Sequence, residues 1–210
     1  MTWMHEERPV TPVDQTITTT ALLDGLHDQG NRAVWSEFDR RYRPILVAFL
    51  RRMGLDENDA GDVAQDTLTC FVQDYRRHKY DRQQGRLRSW LIGIARCRLA
   101  DLRRTTKRRR ELRGESAMVG LPAEADAESV WEAEERRYVF EQAISELRST
   151  SRFNERTIGA FERVVLRSEP VETVSAELGL TPQEIYNAKN RVVERLRDIV
   201  KRYEHGYVGG

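Results

Sequence analysis

The spacing of apolar residues constrains the fold of this 210-residue chain more than any other feature of its sequence. Between Trp35 and Met53, large apolar side chains recur at steps of three and four residues, which places them along one stripe of an α-helix. The same period returns in the other apolar segments, and no segment alternates between apolar and polar residues over the length of a strand. The sequence therefore predicts an all-α protein.

Capping and breaking residues predict where the first helices begin and end. Gly54 is expected to end the long helix, and Pro44 inside it is expected to kink or interrupt it. The segment from Asp56 to Asp59 supplies carboxylates suited to cap the next helix. A further helix is expected from about Ser89 to Arg110.

The formal net charge is only +1, but the charges are unevenly distributed along the chain. Residues 86–110 hold ten basic residues and the single acid Asp101, whereas residues 111–135 hold eight acidic residues and the single base Arg113. The acidic block also contains glycine and proline, a composition typical of a linker. We therefore predict two small helical domains joined by a flexible acidic linker. Their bounds are a tail 1–17, a domain 18–110, the linker 111–135, a domain 136–203 and a tail 204–210.

The cysteine content and hydropathy exclude several classes of protein. Cys70 and Cys97 are the only cysteines and form no CxxC pair, so we expect two buried core thiols rather than a disulfide scaffold or zinc site. No cofactor is expected. The longest apolar run, Ile45 to Leu50, is far shorter than a bilayer span, and the first ten residues contain no apolar signal segment. These features predict a cytoplasmic protein.

Residues 171–200 carry the pattern of a helix-turn-helix. Gly179 permits a sharp reversal, and Thr181 to Glu184 form a capping box with Pro182 at the first helical position. Two helices joined in this way place the second in a DNA major groove. An ordinary helical hairpin with a solvated polar face is the alternative. The polar groups expected to face DNA are Thr181, Gln183, Tyr186, Asn187, Asn190 and Arg191.

Basic residues extend along the helix predicted near residues 89–110, beside its apolar stripe. A nucleic-acid surface explains this arrangement, whereas a solvated helix end is the simpler alternative. Trp90 is suited either to stack on an unpaired base or to pack in the core. The basic residues concerned are Arg86, Arg88, Arg96, Arg98, Arg103 and Arg104.

Three motifs, in this order, resemble those of the bacterial RNA polymerase sigma factors of the extracytoplasmic-function (ECF) type. Asp59 to Thr67 is similar to the acidic motif of their core-polymerase-binding helix. Arg86 to Arg96 is similar to the start of their promoter-melting helix. Leu178 to Thr181, followed by Ile185 to Val192, resembles their C-terminal helix-turn-helix. Tyr186 and Asn187 replace the more usual basic and small residues, so the promoter sequence cannot be carried over from better-known members.

The resemblance implies a transcription initiation factor with no catalytic activity. Such a factor binds core RNA polymerase through the β′ clamp and the β subunit, recognises minus-thirty-five and minus-ten promoter elements, and promotes DNA melting. An anti-sigma factor is a common further partner in that family, and the free chain is expected to be a monomer. The acidic linker would thread the polymerase towards its RNA exit path.

The resemblance also assigns particular residues to contacts with the polymerase and with each promoter element. The polymerase contacts would be Asp59, Asp62, Gln65 and Asp66. The minus-ten contacts would be Arg82, Arg86, Arg88, Trp90, Arg96, Arg98, Arg103 and Arg104, and the minus-thirty-five contacts would be the six residues of the helix-turn-helix given above.

Two other functions use the same features. A dimeric repressor or activator would use the helix-turn-helix on a palindrome, but it leaves the basic helix and the acidic block unexplained. An enzyme acting on nucleic acid would need clustered carboxylates for a metal ion, and Asp101 stands alone in the basic helix.

Overall fold

The computed structural model describes residues 19–28, 30–80, 86–111, 124–150 and 153–207. All regular elements in these residues are helical, which confirms the predicted fold class. None of the described helices is both long and apolar enough to cross a membrane. The helices are α1 (Thr19–Gly25), α2 (Arg32–Arg52), α3 (Glu57–Arg76), α4 (Leu87–Glu111), α5 (Glu124–Thr150), α6 (Glu155–Phe161), α7 (Val171–Leu178) and α8 (Pro182–Tyr207), with a π-helical turn at Glu162–Leu166 after α6.

The predicted tail 1–17, residues 112–123 of the predicted linker, and Arg82 lie outside the described residues. The predicted C-terminal tail begins too early, because α8 continues to Tyr207.

Helices α1 to α4 enclose the core of the N-terminal domain. The stripe predicted on α2 is buried: Phe38, Ile45 and Phe49 are fully inaccessible to solvent. The aromatic rings of Phe38 and Phe71 stack with centroids 5.4 Å apart, which joins α2 to α3. Asp56 caps α3 by accepting a hydrogen bond from the Asp59 backbone N–H at 2.9 Å, as the sequence predicts.

Helix α2 continues through Pro44 without interruption, although an exposed proline inside a helix removes one backbone donor. Pro44 therefore cannot donate to the Arg40 carbonyl one turn earlier. The Tyr138 hydroxyl of α5 donates to this oxygen at 3.4 Å. Burial, the largest cause, raises the pKa of Tyr138 to about 12. A side chain from α5 thus takes the place of the missing backbone donor.

The first half of α5 packs on the N-terminal domain, whereas the sequence analysis assigned residues 124–135 to a flexible linker. Ala127 and Trp131, both 1 % exposed, belong to the same core as α2 and α3. The indole of Trp131 lies 5.8 Å from the ring of Phe49, measured between centroids. Apolar side chains four residues apart explain why this acidic segment is helical and docked. The predicted linker is therefore too long at its C-terminal end.

The second half of α5 belongs to the C-terminal domain. Val139, Ala143 and Leu147 pack against Phe161 and the last turns of α8. At about 1.5 Å per residue, the 27 residues of α5 span about 40 Å. One continuous helix therefore contributes to the cores of both domains.

Helices α6 to α8 form the helix-turn-helix domain. Gly179 ends α7 in the left-handed conformation, with φ of 60°, which a side chain disfavours. The Thr181 hydroxyl accepts a hydrogen bond from the Glu184 N–H at 3.2 Å, and the Glu184 carboxylate accepts from the Thr181 N–H at 2.7 Å. The predicted capping box is confirmed. Val174, Ile185 and Ala188 are buried between α7, α8 and α6.

Candidate functional site

The four predicted polymerase contacts lie along α3. Asp59, Asp62 and Asp66 are exposed and Gln65 is half-buried, since steps of three and four residues keep them on the side away from the core. The side-chain oxygen of Gln65 accepts a hydrogen bond from Arg43 of α2. Arg43 is itself fixed by Asp39, with Nε 2.9 Å from Oδ2. The result is an acidic face whose one amide is held in place by the neighbouring helix.

The basic residues of α4 divide into two groups by exposure. Arg86, just before α4, and Arg98 and Arg104 on the helix are exposed, whereas Arg88, Arg96 and Arg103 are half-buried. Arg104 forms an ion pair with Asp101 one turn away. The predicted basic surface is therefore made mainly by the exposed members of the set, together with Lys107 and Arg108.

Arg88 is occupied by carboxylates of α5. Its Nε lies 3.0 Å from a carboxylate oxygen of Glu128, and its Nη1 lies 3.1 Å from Glu132 and 4.0 Å from Glu135. The adjacent Ser89 hydroxyl donates to Glu128 at 2.9 Å. Burial, the largest cause, raises the pKa of Glu135, and the charge of Arg88 opposes that rise. Arg88 therefore joins α4 to α5 in this structure instead of facing solvent.

Arg103 also has a structural contact. Its guanidinium donates to the carbonyl oxygen of Met53, the residue that caps the end of α2. The same group lies beside Gly54, whose φ is 95°. A cation at a helix C-terminus is favoured by the partial negative charge of its free carbonyls. Arg103 thereby stabilises the turn between α2 and α3.

Trp90 packs at the edge of the N-terminal core, half-buried. Its ring meets Tyr80 edge-on, with centroids 5.6 Å apart. Its indole N–H is buried and has no hydrogen-bond partner among the described residues. In this structure the side chain therefore packs against the edge of the core, and stacking on a base stays a prediction.

The two cysteines are free thiols, but they do not lie in the core as predicted. Cys70 is half-buried, and Cys97 is exposed because it falls on the outer side of α4. A hydrogen bond with Cys70 is the largest cause that raises the pKa of Arg98, and the charges of Asp66 and Asp101 add to it. The charge of Arg98 is thus partly balanced by the acidic face of α3.

The six predicted contacts of the helix-turn-helix all lie exposed at the start of α8 or immediately before it. Tyr186 is 49 % exposed, a large value for an aromatic side chain. The Gln183 amide donates to the side-chain oxygen of Asn187 at 3.2 Å. On the opposite side of the same helix, Ile185, Ala188 and Val192 are buried. The helix is therefore anchored by one side and presents amides, a phenol and a guanidinium on the other.

The C-terminal domain also has an exposed apolar groove that the sequence analysis did not identify. Its volume is about 420 Å³, and its walls come from α5, the end of α6, the π-helical turn and α8. Phe140 is 40 % exposed and Leu166 is 45 % exposed in this groove, with Arg197 and Lys201 at its rim. Exposed apolar patches of this kind commonly bind proteins. The apolar character of positions 140 and 166 was the signal available in the sequence.

Comparison with known proteins gives two findings. Residues 38–109, which cover most of α2 to α4, match the Sigma-70 region 2 family. Over 177 residues the chain is 25 % identical to the ECF RNA polymerase sigma factor RpoE of Cereibacter sphaeroides, an alignment that covers 84 % of this chain and 92 % of the relative.

Proposed function

We propose that this chain, which belongs to the ECF RNA polymerase sigma factors, binds core polymerase through α3 and selects promoters through α4 and α8. Its family membership makes it a factor that directs RNA polymerase in transcription initiation, and not an enzyme. The observation that carries the promoter proposal is the orientation of α8, with an apolar side buried and a polar side exposed to solvent.

For the minus-thirty-five element, we assign base and phosphate contacts to Thr181, Gln183, Tyr186, Asn187, Asn190 and Arg191. Asparagine amides suit the donor and acceptor pattern of adenine in the major groove, and arginine suits guanine. Tyr186 offers both a hydroxyl and an apolar ring. This mixture supports readout of bases in addition to binding of the phosphate backbone.

For the minus-ten element, the exposed basic residues are the better candidates. Arg86, Arg98 and Arg104 are exposed to solvent, although Arg104 pairs with Asp101, and the half-buried Arg96 lies on the same helix as the last two. Arg82 remains assigned to this surface from the resemblance alone. Arg88, Arg103 and Trp90 hold α4 to α5, α2 and the core, so a direct DNA contact by any of them requires a change of partners.

For the polymerase, Asp59, Asp62 and Asp66 form a patch suited to a basic partner, and we assign it to the β′ clamp. The apolar groove around Phe140 and Leu166 suits a second protein contact, which we assign to the β subunit. An anti-sigma factor that masks either surface would keep the protein inactive. We expect the free protein to be a monomer in the cytoplasm.

A binding and run-off assay with purified core polymerase tests this assignment. The wild-type chain should bind core and start RNA synthesis at a subset of chromosomal promoters. A double variant, Asp62→Ala with Asp66→Ala, should weaken binding to core, whereas Asp198→Ala, which removes an exposed carboxylate from α8, should not. Failure of the wild-type chain to bind core would refute the proposed function.

Promoter selection is tested by the same assay with α8 variants. Asn187→Ala should lower run-off from selected promoters and relax base preference, at a cost of about 1–3 kcal/mol for a paired base contact. Core binding should stay unchanged, because Asn187 is exposed and outside both polymerase surfaces. A dimeric repressor would instead bind these fragments without core, as a dimer by light scattering, and that result would favour the alternative.

A further inference from the structure

A polar groove lies beside the exposed side of α8 and includes residues from α6. Its volume is about 610 Å³. One wall carries Asn187, Asn190 and Arg191, which are already assigned to promoter readout. The other wall carries Asn154, Arg156 and Thr157, which precede the helix-turn-helix in the sequence. The groove therefore extends the candidate DNA surface beyond the motif itself.

Arg156 is the residue of α6 that brings a positive charge to this groove. It is exposed, and its guanidinium reaches the turn between α7 and α8: a methyl group built on Gly179 would lie 3.8 Å from its Nη2. Asn154 is engaged within the chain, because its side chain accepts the Thr157 N–H at 2.8 Å.

The charge in the groove is positive. Glu184 is the one carboxylate among its lining residues in the described chain, and Arg156 and Arg191 supply two guanidinium groups. The Glu184 carboxylate already accepts the Thr181 N–H at 2.7 Å and its hydroxyl at 2.8 Å. These bonds are the largest causes that lower the pKa of Glu184, and Arg156 adds a smaller contribution. Because Arg156 is exposed in this positively charged groove, its guanidinium is suited to an anionic ligand outside the chain.

We propose that Arg156 binds a backbone phosphate of the DNA next to the bases read by α8, and that this contact orients the recognition helix. The inference rests on the proposed function. Guanidinium groups bind phosphates through paired N–H donors, and phosphate contacts fix the register of a recognition helix without reading sequence. Arg156 and Arg191 would then hold the helix from two sides of one groove.

The salt dependence of promoter binding tests the proposal. The full chain bound to core polymerase is titrated with a labelled promoter fragment selected by run-off, and with the same fragment scrambled in its minus-thirty-five bases, between about 50 and 200 mM salt. Arg156→Ala should weaken both fragments by a similar factor, about tenfold at the lower salt. It should also reduce the slope of log affinity against log salt by about 0.9, the value for one phosphate contact.

Two variants control for charge and geometry. Arg156→Lys keeps the charge and should retain most of the slope. Arg136→Ala removes the same charge from an exposed position on α5, outside the groove, and should leave the slope unchanged. An Arg156→Ala slope equal to wild type, or a loss confined to the unscrambled fragment, overturns the phosphate contact. If the wild-type complex itself shows no preference between the two fragments, the proposed promoter selection has failed instead.

Discussion

Replacement of Trp131 by alanine tests whether the first half of α5 belongs to the N-terminal domain. The indole is 1 % exposed and packs 5.8 Å from the ring of Phe49, measured between centroids. A buried tryptophan covers about 200 Å², which at about 25 cal/mol per Å² corresponds to about 5 kcal/mol. Measured truncations of buried aromatic side chains cost about 3–5 kcal/mol. We therefore expect Trp131→Ala to lower the free energy of unfolding of this domain by about 3–5 kcal/mol.

Urea unfolding of the full chain, followed by far-ultraviolet circular dichroism, measures this loss. Phe140→Ala provides the matched control, since Phe140 lies on the same helix but is 40 % exposed, and it should cost less than about 1 kcal/mol. If Trp131→Ala costs no more than Phe140→Ala, the first half of α5 is not docked in solution. The acidic segment would then act as the flexible linker that its composition suggests.

Three further changes test individual contacts by the same unfolding measurement. Pro44→Ala restores a helical N–H and should stabilise the protein by up to about 3 kcal/mol, and in that background Tyr138→Phe should cost less than in the wild type. Burial raises the pKa of Glu135 in the folded protein. This side chain therefore contributes to the free energy of unfolding below the pKa of the unfolded state, where it is protonated, and the contribution is lost as pH rises through the pKa of the folded state. Glu135→Gln should therefore raise the urea midpoint at about pH 7, with a gain that shrinks towards about pH 4; an equal gain at both values would contradict this origin. Gly179→Ala should destabilise the C-terminal domain by about 1 kcal/mol because φ is 60° there, and an unchanged midpoint would show that the turn relaxes at no cost.

The features that the sequence predicted well are those that depend on neighbours in the chain. The capping box needs only Thr181 and Glu184, three residues apart, and both of its hydrogen bonds form. The end of α7 needs only Gly179 and its conformational freedom. The buried side of α8 follows from helical periodicity alone. Local rules were sufficient for the helix-turn-helix because its parts are adjacent in the sequence.

The start of α5 was predicted as linker because composition was given more weight than spacing. Its carboxylates are numerous, but Ala127, Trp131 and Tyr138 recur at intervals that place them on one side of a helix. That signal was present and was outweighed by the nearby glycines and proline. The apolar core that receives Trp131 is formed by α1 to α4, and its ring contact Phe49 lies about eighty residues earlier, so no local pattern could have identified the docking site.

The roles of the arginines on α4 depend on partners that are equally distant. Arg88 resembles its neighbours in sequence, yet the carboxylates of Glu128 and Glu132 hold it against α5. A phosphate would satisfy the same guanidinium equally well, so DNA bound as proposed would compete with α5 for it on similar chemical terms. The carboxylates of α5 have one advantage over a phosphate as partners of Arg88. The buried side chain of Trp131 fixes α5 to the N-terminal core and so keeps these carboxylates close to Arg88. A DNA contact by Arg88 therefore requires its guanidinium to leave these carboxylates, which stay beside it as long as Trp131 holds α5 on the core.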